Sequence, residues 1–211
     1  MKEYINDSVK EFVLQLSGKQ PAPGGGGASA LAGALGIALG GMVANLTIGK
    51  PRYAEAEEEL KALKVRAYRV QQDLLALVDA DAAAFEPLAG AYRMPAETEA
   101  EREEKARVMD ACLKRAAEVP LAIMERCGEA IELLAVFAEK GSTLALSDAG
   151  CGAALAEAAM RSAWLNVKVN TMTMRDADYA ARVNAQGRAL LAKYSGTAQE
   201  TYGQVEAGLE R

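Results

Sequence analysis

Along most of this chain apolar residues recur at spacings of three and four, the period of a helix with one face on a core. Val9, Phe12, Val13 and Leu16 form the first stripe, with Ser8-Val9-Lys10-Glu11 as a capping box before it and Gly18 as a stop after it. Two longer patterns cover about 53–89 and 97–139, both rich in Ala, Leu, Glu, Lys and Arg, and Pro120 is expected to kink or break the second. Gly141 and Ser142 close that segment, Asp148 is placed to cap the next helix, and a last helix is expected after Asp176. Residues 165–174, LNVKVNTMTM, alternate with the period of a strand, but their neighbours favour helix. With no repeat, linker or break in composition, the pattern predicts an all-α, single-domain bundle of long helices over residues 1–211.

One stretch departs from the amphipathic rule. Residues 21–50, PAPGGGGASALAGALGIALGGMVANLTIGK, hold a Pro and Gly turn, four consecutive glycines and a Gly/Ala-rich helix with no charge before Lys50. Glycines cost conformational entropy and pack no side chain, so their use is close approach of backbone to a ligand or to another helix. The run is long enough to span a bilayer, and Gly36-Ile37-Ala38-Leu39-Gly40 matches a GxxxG pattern. Yet it is mostly Ala and Gly, contains Ser29, Asn45 and Thr47, and lacks an aromatic belt or a basic flank before it. It also begins too late for a signal peptide and lacks the charged segment one needs. The expectation is a helix buried on all sides in a bundle, with no membrane partner.

Composition narrows the chemistry. A chain of 211 residues that is 51% hydrophobic can bury one substantial core. Its net charge of −5, with no basic stripe, speaks against a nucleic-acid partner. Cys112, Cys127 and Cys151 have no metal-site or disulfide spacing, so no metal is expected and a reducing cytoplasm is the natural compartment. There is no histidine at all, which excludes a Ser-His-Asp triad, an imidazole base and any histidine-ligated metal. Chemistry falls to carboxylates, Lys, Tyr, Cys, amides or backbone.

Leu74, Leu77, Val78, Phe85 and Leu88 make one stripe, with Asp81 at its centre and Asp79 pointing elsewhere. A carboxylate there is desolvated, which raises its pKa and suits acid/base work or cation binding. It serves equally as a structural Asp that caps a neighbouring helix or pairs with an Arg. Asn166 and Asn170, four apart, present two amides from one helix face, either to read a heterocycle edge or to bridge helices. The glycine loop is neither a P-loop nor a dinucleotide fingerprint. It is either a plain flexible turn or, because it feeds a helix N-terminus, a seat for an anionic group. Lys50 and Arg52, beyond the far end of that helix, would add positive charge if a site were built between subunits.

Pro21-Ala22-Pro23-Gly24-Gly25-Gly26, with Met42-Val43-Ala44-Asn45-Leu46-Thr47-Ile48-Gly49-Lys50, closely resembles the cyclodeaminase/cyclohydrolase family. So do Asp79-Ala80-Asp81 with Phe85, Ala117-Glu118-Val119-Pro120-Leu121, Ser147-Asp148-Ala149-Gly150, and Leu165-Asn166-Val167 with Asn170. The resemblance runs nearly end to end. It implies a helical fold, usually a homodimer, acting on a tetrahydrofolate one-carbon adduct without a metal. Formiminotetrahydrofolate cyclodeaminase is the activity expected first, with methenyltetrahydrofolate cyclohydrolase as the alternative and a non-catalytic folate-binding helical dimer as a further one. Asp81 is implied as the acid/base group and Asp148 as second choice. Pro23, Gly24, Gly25, Gly26, Asn45, Asn166 and Asn170 are implied around the substrate, with Lys50 on its glutamate tail. Ser142 departs from the family, which commonly has Asn there, and substrate preference would change if that position touches ligand.

Overall fold

A computed structural model describes residues 3–210, and among these the chain is helical with no strand. Six helices follow in order: α1 (Val9–Leu16), α2 (Gly25–Thr47), α3 (Glu57–Tyr92), α4 (Glu99–Lys140), α5 (Leu146–Thr171) and α6 (Ala177–Leu209). Short 3₁₀ turns at Tyr4–Asn6, Pro51–Ala56 and Thr143–Ala145 precede α1, α3 and α5. The start and stop signals lie close to where the sequence puts them. Ser8 and Thr98 each close a capping box, Asp176 caps α6 by accepting from the Tyr179 N–H, and Gly49, at φ 82°, ends the turn after α2.

Three expectations are corrected. Of the kink or break expected at Pro120, the break does not occur: α4 is one helix with Pro120 inside it, as α3 is with Pro87, because packing along their whole length holds them against the loss of one hydrogen bond. Asp148 does not cap α5. That helix starts from the 3₁₀ turn with Ala145 at its N-cap, and Asp148 lies in the first turn. Helix α2 is not buried all round, since Leu35, Met42 and Leu46 face outward.

Helix α2 packs against α3, α4 and α5, and its glycines set how closely. A Cβ on Gly36 would sit 2.9 Å from the Gly152 carbonyl oxygen, and one on Gly152 would sit 2.7 Å from that of Gly36. Two backbones are therefore in contact where α2 meets α5. On other faces, Gly33 admits Cys127 and Gly40 admits Phe137. The core built around this axis includes Ile37, Leu60, Leu74, Met124, Leu134, Phe137 and Met160. A smaller cluster of Leu88, Ala91, Cys112, Leu113 and Ala116 joins the far ends of α3 and α4.

Candidate active site

The four glycines meet the rest of the protein at the N-terminus of α2, and each of the first three helical ones touches something different. A Cβ on Gly25 would crowd the Asn166 amide at 3.2 Å, and one on Gly27 would lie 3.3 Å from the Val78 carbonyl oxygen. A Cβ on Gly26 would fall 2.0 Å from Asp81 Oδ1, inside any allowed contact. The glycine run thus lets the first turn of α2 wedge between α3 and α5, with the Asp81 carboxylate against its backbone. The preceding Ala22–Pro23 peptide bond is cis.

Asp81 Oδ2 accepts from the Gly27 N–H at 3.0 Å, at the positive end of the α2 dipole. Burial nevertheless pushes its carboxyl above the ordinary value of 3.8, against the opposing pull of the Gly27 hydrogen bond. No lysine or arginine pairs with it among the described residues. Of the two forms of the structural reading, the ion pair is absent among the described residues and the cap on α2 is present, and the acid/base reading stands beside it. Asp79, as expected, points elsewhere: its Oδ1 accepts from the Tyr4 N–H at 2.6 Å and the Ile5 N–H at 3.3 Å, pinning the N-terminal 3₁₀ turn.

Both asparagines also reach this place from α5. Asn170 Nδ2 donates to the Ala116 carbonyl at 2.8 Å and to the Asn166 carbonyl at 3.0 Å, so it does bridge helices. Asn166 Nδ2 donates to the Ser162 carbonyl at 3.0 Å. Both N–H groups of Asn170 and one of Asn166 are thus engaged, and the amide oxygens remain as acceptors for a ligand. Asp81, Asn166, Asn170, Gly24 and Gly25 line one cavity of about 200 Å³ together with Phe85 and Val169. Gly26 stands behind Asp81, and Pro23 is buried beside Gly27.

The other expected residues lie elsewhere in this chain. Helix α2 is 23 residues, about 34 Å, long, and Lys50 follows its opposite end, where its Nζ donates to Ser142 Oγ at 3.2 Å. Ser142 is buried there, its N–H donating to Thr47 Oγ1 at 2.7 Å, so the departure at this position is remote from Asp81. At the same end Tyr53 accepts from the Thr143 N–H, which brings its phenol down to about 8. Asn45 is exposed in a groove between α2 and α3 with Met42, Lys64 and Tyr68. Asp148 is 18 residues, about 27 Å of helix, from Asn166. Cys127 is fully buried with its thiol pushed up to about 12, and is inert as a nucleophile.

Sequence reading missed the cavity's extension. A second cavity of about 500 Å³ shares Pro21, Ala22, Ala82 and Phe85 with the first and runs on past Gln15, Gln20, Glu86 and Ala89 to Arg93. The signal was present, since positions 85, 86, 89 and 93 follow helical spacing from Ala82, the neighbour of Asp81, but spacing on one helix gives no hint of what stands opposite.

Bundle and cleft together define a helical protein with a desolvated carboxylate and two amides lining a cavity that adjoins a larger one. The chain belongs to the formiminotransferase-cyclodeaminase family, whose profile matches residues 8–189, and thus to the folate one-carbon enzymes of cyclodeaminase/cyclohydrolase type. It is 38% identical to the methenyltetrahydrofolate cyclohydrolase of Methylorubrum extorquens over 96% of this chain and 97% of that protein. With the formimidoyltransferase-cyclodeaminase of Gallus gallus it shares 30% identity over 90% of its own length but spans only 35% of that longer chain. The fold matches the crystal structure of formiminotetrahydrofolate cyclodeaminase from Thermotoga maritima with a TM-score of 0.81, at 27% identity, covering 97% of this chain and 96% of the other.

Proposed function

We propose that the protein is a methenyltetrahydrofolate cyclohydrolase in which Asp81 is the acid/base group. The observation that carries the chemistry is the Asp81 carboxyl, raised by burial and without a cationic partner among the described residues, at the head of a cleft. What orders the activities is identity, 38% to the cyclohydrolase against 27% to the cyclodeaminase of similar length, which favours ring opening over the ring closure expected first from sequence. In ring opening, water adds to the carbon held between N5 and N10 of the cationic 5,10-methenyl adduct. Asp81 takes one proton from that water and passes it to N5 as the bond from carbon to N5 breaks. The second water proton is released as the formyl carbonyl forms on N10. A carboxyl whose pKa is drawn toward neutrality is suited to both transfers, and as the carboxylate it stabilises the cation. Asn166 and Asn170 would receive N–H groups of the pterin through their free amide oxygens.

Ring closure with loss of ammonia is the second reading, favoured by the match to the Thermotoga maritima cyclodeaminase. There N10 attacks the formimino carbon on N5 and ammonia leaves, again with one proton to move. The purified protein is mixed with 5,10-methenyltetrahydrofolate and, separately, with 5-formiminotetrahydrofolate. Accelerated loss of the methenyl absorbance is expected in the first mixture. Its appearance with ammonia in the second would replace ring opening by the cyclodeaminase reading, and silence in both would remove catalysis.

The proposal includes a homodimer. Leu35, Met42 and Leu46 of α2 and Leu165 and Val169 of α5 are exposed, and these helices pack against each other. A second copy would cover these exposed apolar side chains. Light scattering behind a sizing column is expected to give about twice the 22.3 kDa chain mass. A mass equal to one chain would refute it.

A further inference from the structure

We infer that the outer cavity is the seat of the substrate's glutamate tail and that Arg93, not Lys50, is the residue that binds it. The inference rests on the folate reading above and gives that site a direction. The two cavities adjoin, with Pro21, Ala22, Ala82 and Phe85 lining both, so a ligand whose reacting carbon meets Asp81 can extend past the Phe85 ring toward Arg93. Asp81 on α3 and Arg93, the residue that caps its C-terminus, are 12 residues apart, about 18 Å along the helix. An aminobenzoyl ring with one glutamate extends on the order of 12 Å, about three or four extended residues, and an arginine side chain closes the remainder.

Charge selects the same residue. Arg93 is the only cation lining either cavity among the described residues, and its guanidinium makes no hydrogen bond or ion pair there. Its backbone is nonetheless fixed. The Arg93 N–H donates to the Gly90 carbonyl at 3.0 Å, and Lys105 Nζ donates to the carbonyls of Tyr92 and Met94, each at 2.9 Å. A free fork on a held turn is suited to a bidentate carboxylate. Among the described residues the one carboxylate lining this cavity is Glu86, and Gln15 of the same wall donates to Asp7. Lys50 stands beyond the opposite end of α2 and reaches neither cavity within the chain.

A substrate that lacks glutamate tests this directly. Wild type, Arg93→Gln, Arg93→Lys and Lys50→Gln are assayed with the 5,10-methenyl adducts of tetrahydrofolate and of tetrahydropteroate, which ends at the benzoate. Equilibrium binding of unreacted tetrahydrofolate and tetrahydropteroate is measured in parallel. Arg93→Gln is expected to raise KM for the folate about tenfold with kcat unchanged, the sign of lost uniform binding. It should leave the pteroate unaffected, Arg93→Lys should recover part of the loss, and Lys50→Gln should behave as wild type. An unchanged folate KM in Arg93→Gln, an equal rise for both substrates, or a loss confined to Lys50→Gln would each overturn the assignment. If wild type turns over neither adduct, the catalytic reading fails, while the binding arm still decides Arg93 by the same comparison. Absence of any folate binding would sink both.

Discussion

Asp81→Asn is expected to lower turnover by about 10²- to 10⁴-fold, the usual worth of a positioned acid/base group. The bundle should stay folded. The amide keeps the shape of the carboxylate and its oxygen can still accept from the Gly27 N–H, so the first turn of α2 keeps its contact with α3. What is removed is a proton carrier whose burial had raised its pKa. The same substitution has a signature in stability. A carboxyl with a raised folded pKa keeps its proton in the folded chain at pH values where the unfolded chain has already lost it. Its contribution is complete below the ordinary 3.8 and is lost as pH rises through the folded value. Asp176, held down by the Lys114 ammonium and the Tyr179 N–H, acts in the opposite sense in both proteins, with stability lost as pH falls, and cancels in the comparison. Melting of the Asn variant and the wild type should therefore diverge in favour of Asn as pH rises above about 4. A variant with wild-type turnover would remove Asp81 from the chemistry, and equal pH profiles of melting would remove the burial argument.

Gly26→Ala should be nearly as damaging to activity through one methyl group. The new Cβ would lie 2.0 Å from Oδ1, 2.4 Å from Cγ and 2.6 Å from Oδ2 of Asp81. The carboxylate is the movable partner, since Gly26 is fixed in the first turn of α2 between α3 and α5. Relief requires Asp81 to swing away from α2, which breaks the 3.0 Å bond from Gly27 and displaces the acid/base atoms by an ångström or more. Misplacement of that size costs about a hundredfold in rate. Stability should fall by about 1–3 kcal/mol, the cost of overpacking a close contact. Steady-state kinetics with a denaturant titration on the same preparation separate the two effects. Normal kcat in a folded Gly26→Ala protein would show that the glycine run does not position Asp81.

Much of the fold is legible from residue spacing because helices are local structures. The cap at Ser8, the stop at Gly18 and the cap at Asp176 need only neighbours a few residues away. Residues 165–174 show where locality misleads, as their alternation satisfies a strand, yet α5 carries through Thr171 because its buried face repeats at helical spacing through Ala159, Ala163 and Val167. Pro120 is a signal of the same local kind, and the break it suggests is overridden by tertiary contacts.

At the site the division follows a different line. Residue type and stripe position mark Asp81, Asn166, Asn170 and the glycines before any coordinates, since a carboxylate on an apolar face and four glycines in a row both demand a physical reason. Lys50, Asn45, Asp148 and Arg93 could not be sorted in the same way. Motif membership groups residues by likeness, whereas distance depends on which ends of α2, α3 and α5 come together, and a helix of 23 residues carries its two ends about 34 Å apart.

By itself the sequence determined that this chain is a helical bundle, that it works without histidine, and that its uncharged glycine helix is where backbone must come close to something. Only the tertiary structure decided what that something is. At one end of α2 the glycines receive Asp81 and Asn166, along its length they receive α5 backbone and core side chains, and one face stays outward. The physical reason is that helical periodicity is written in neighbours a turn apart, while the choice of partners is made by contacts between residues far apart in the chain.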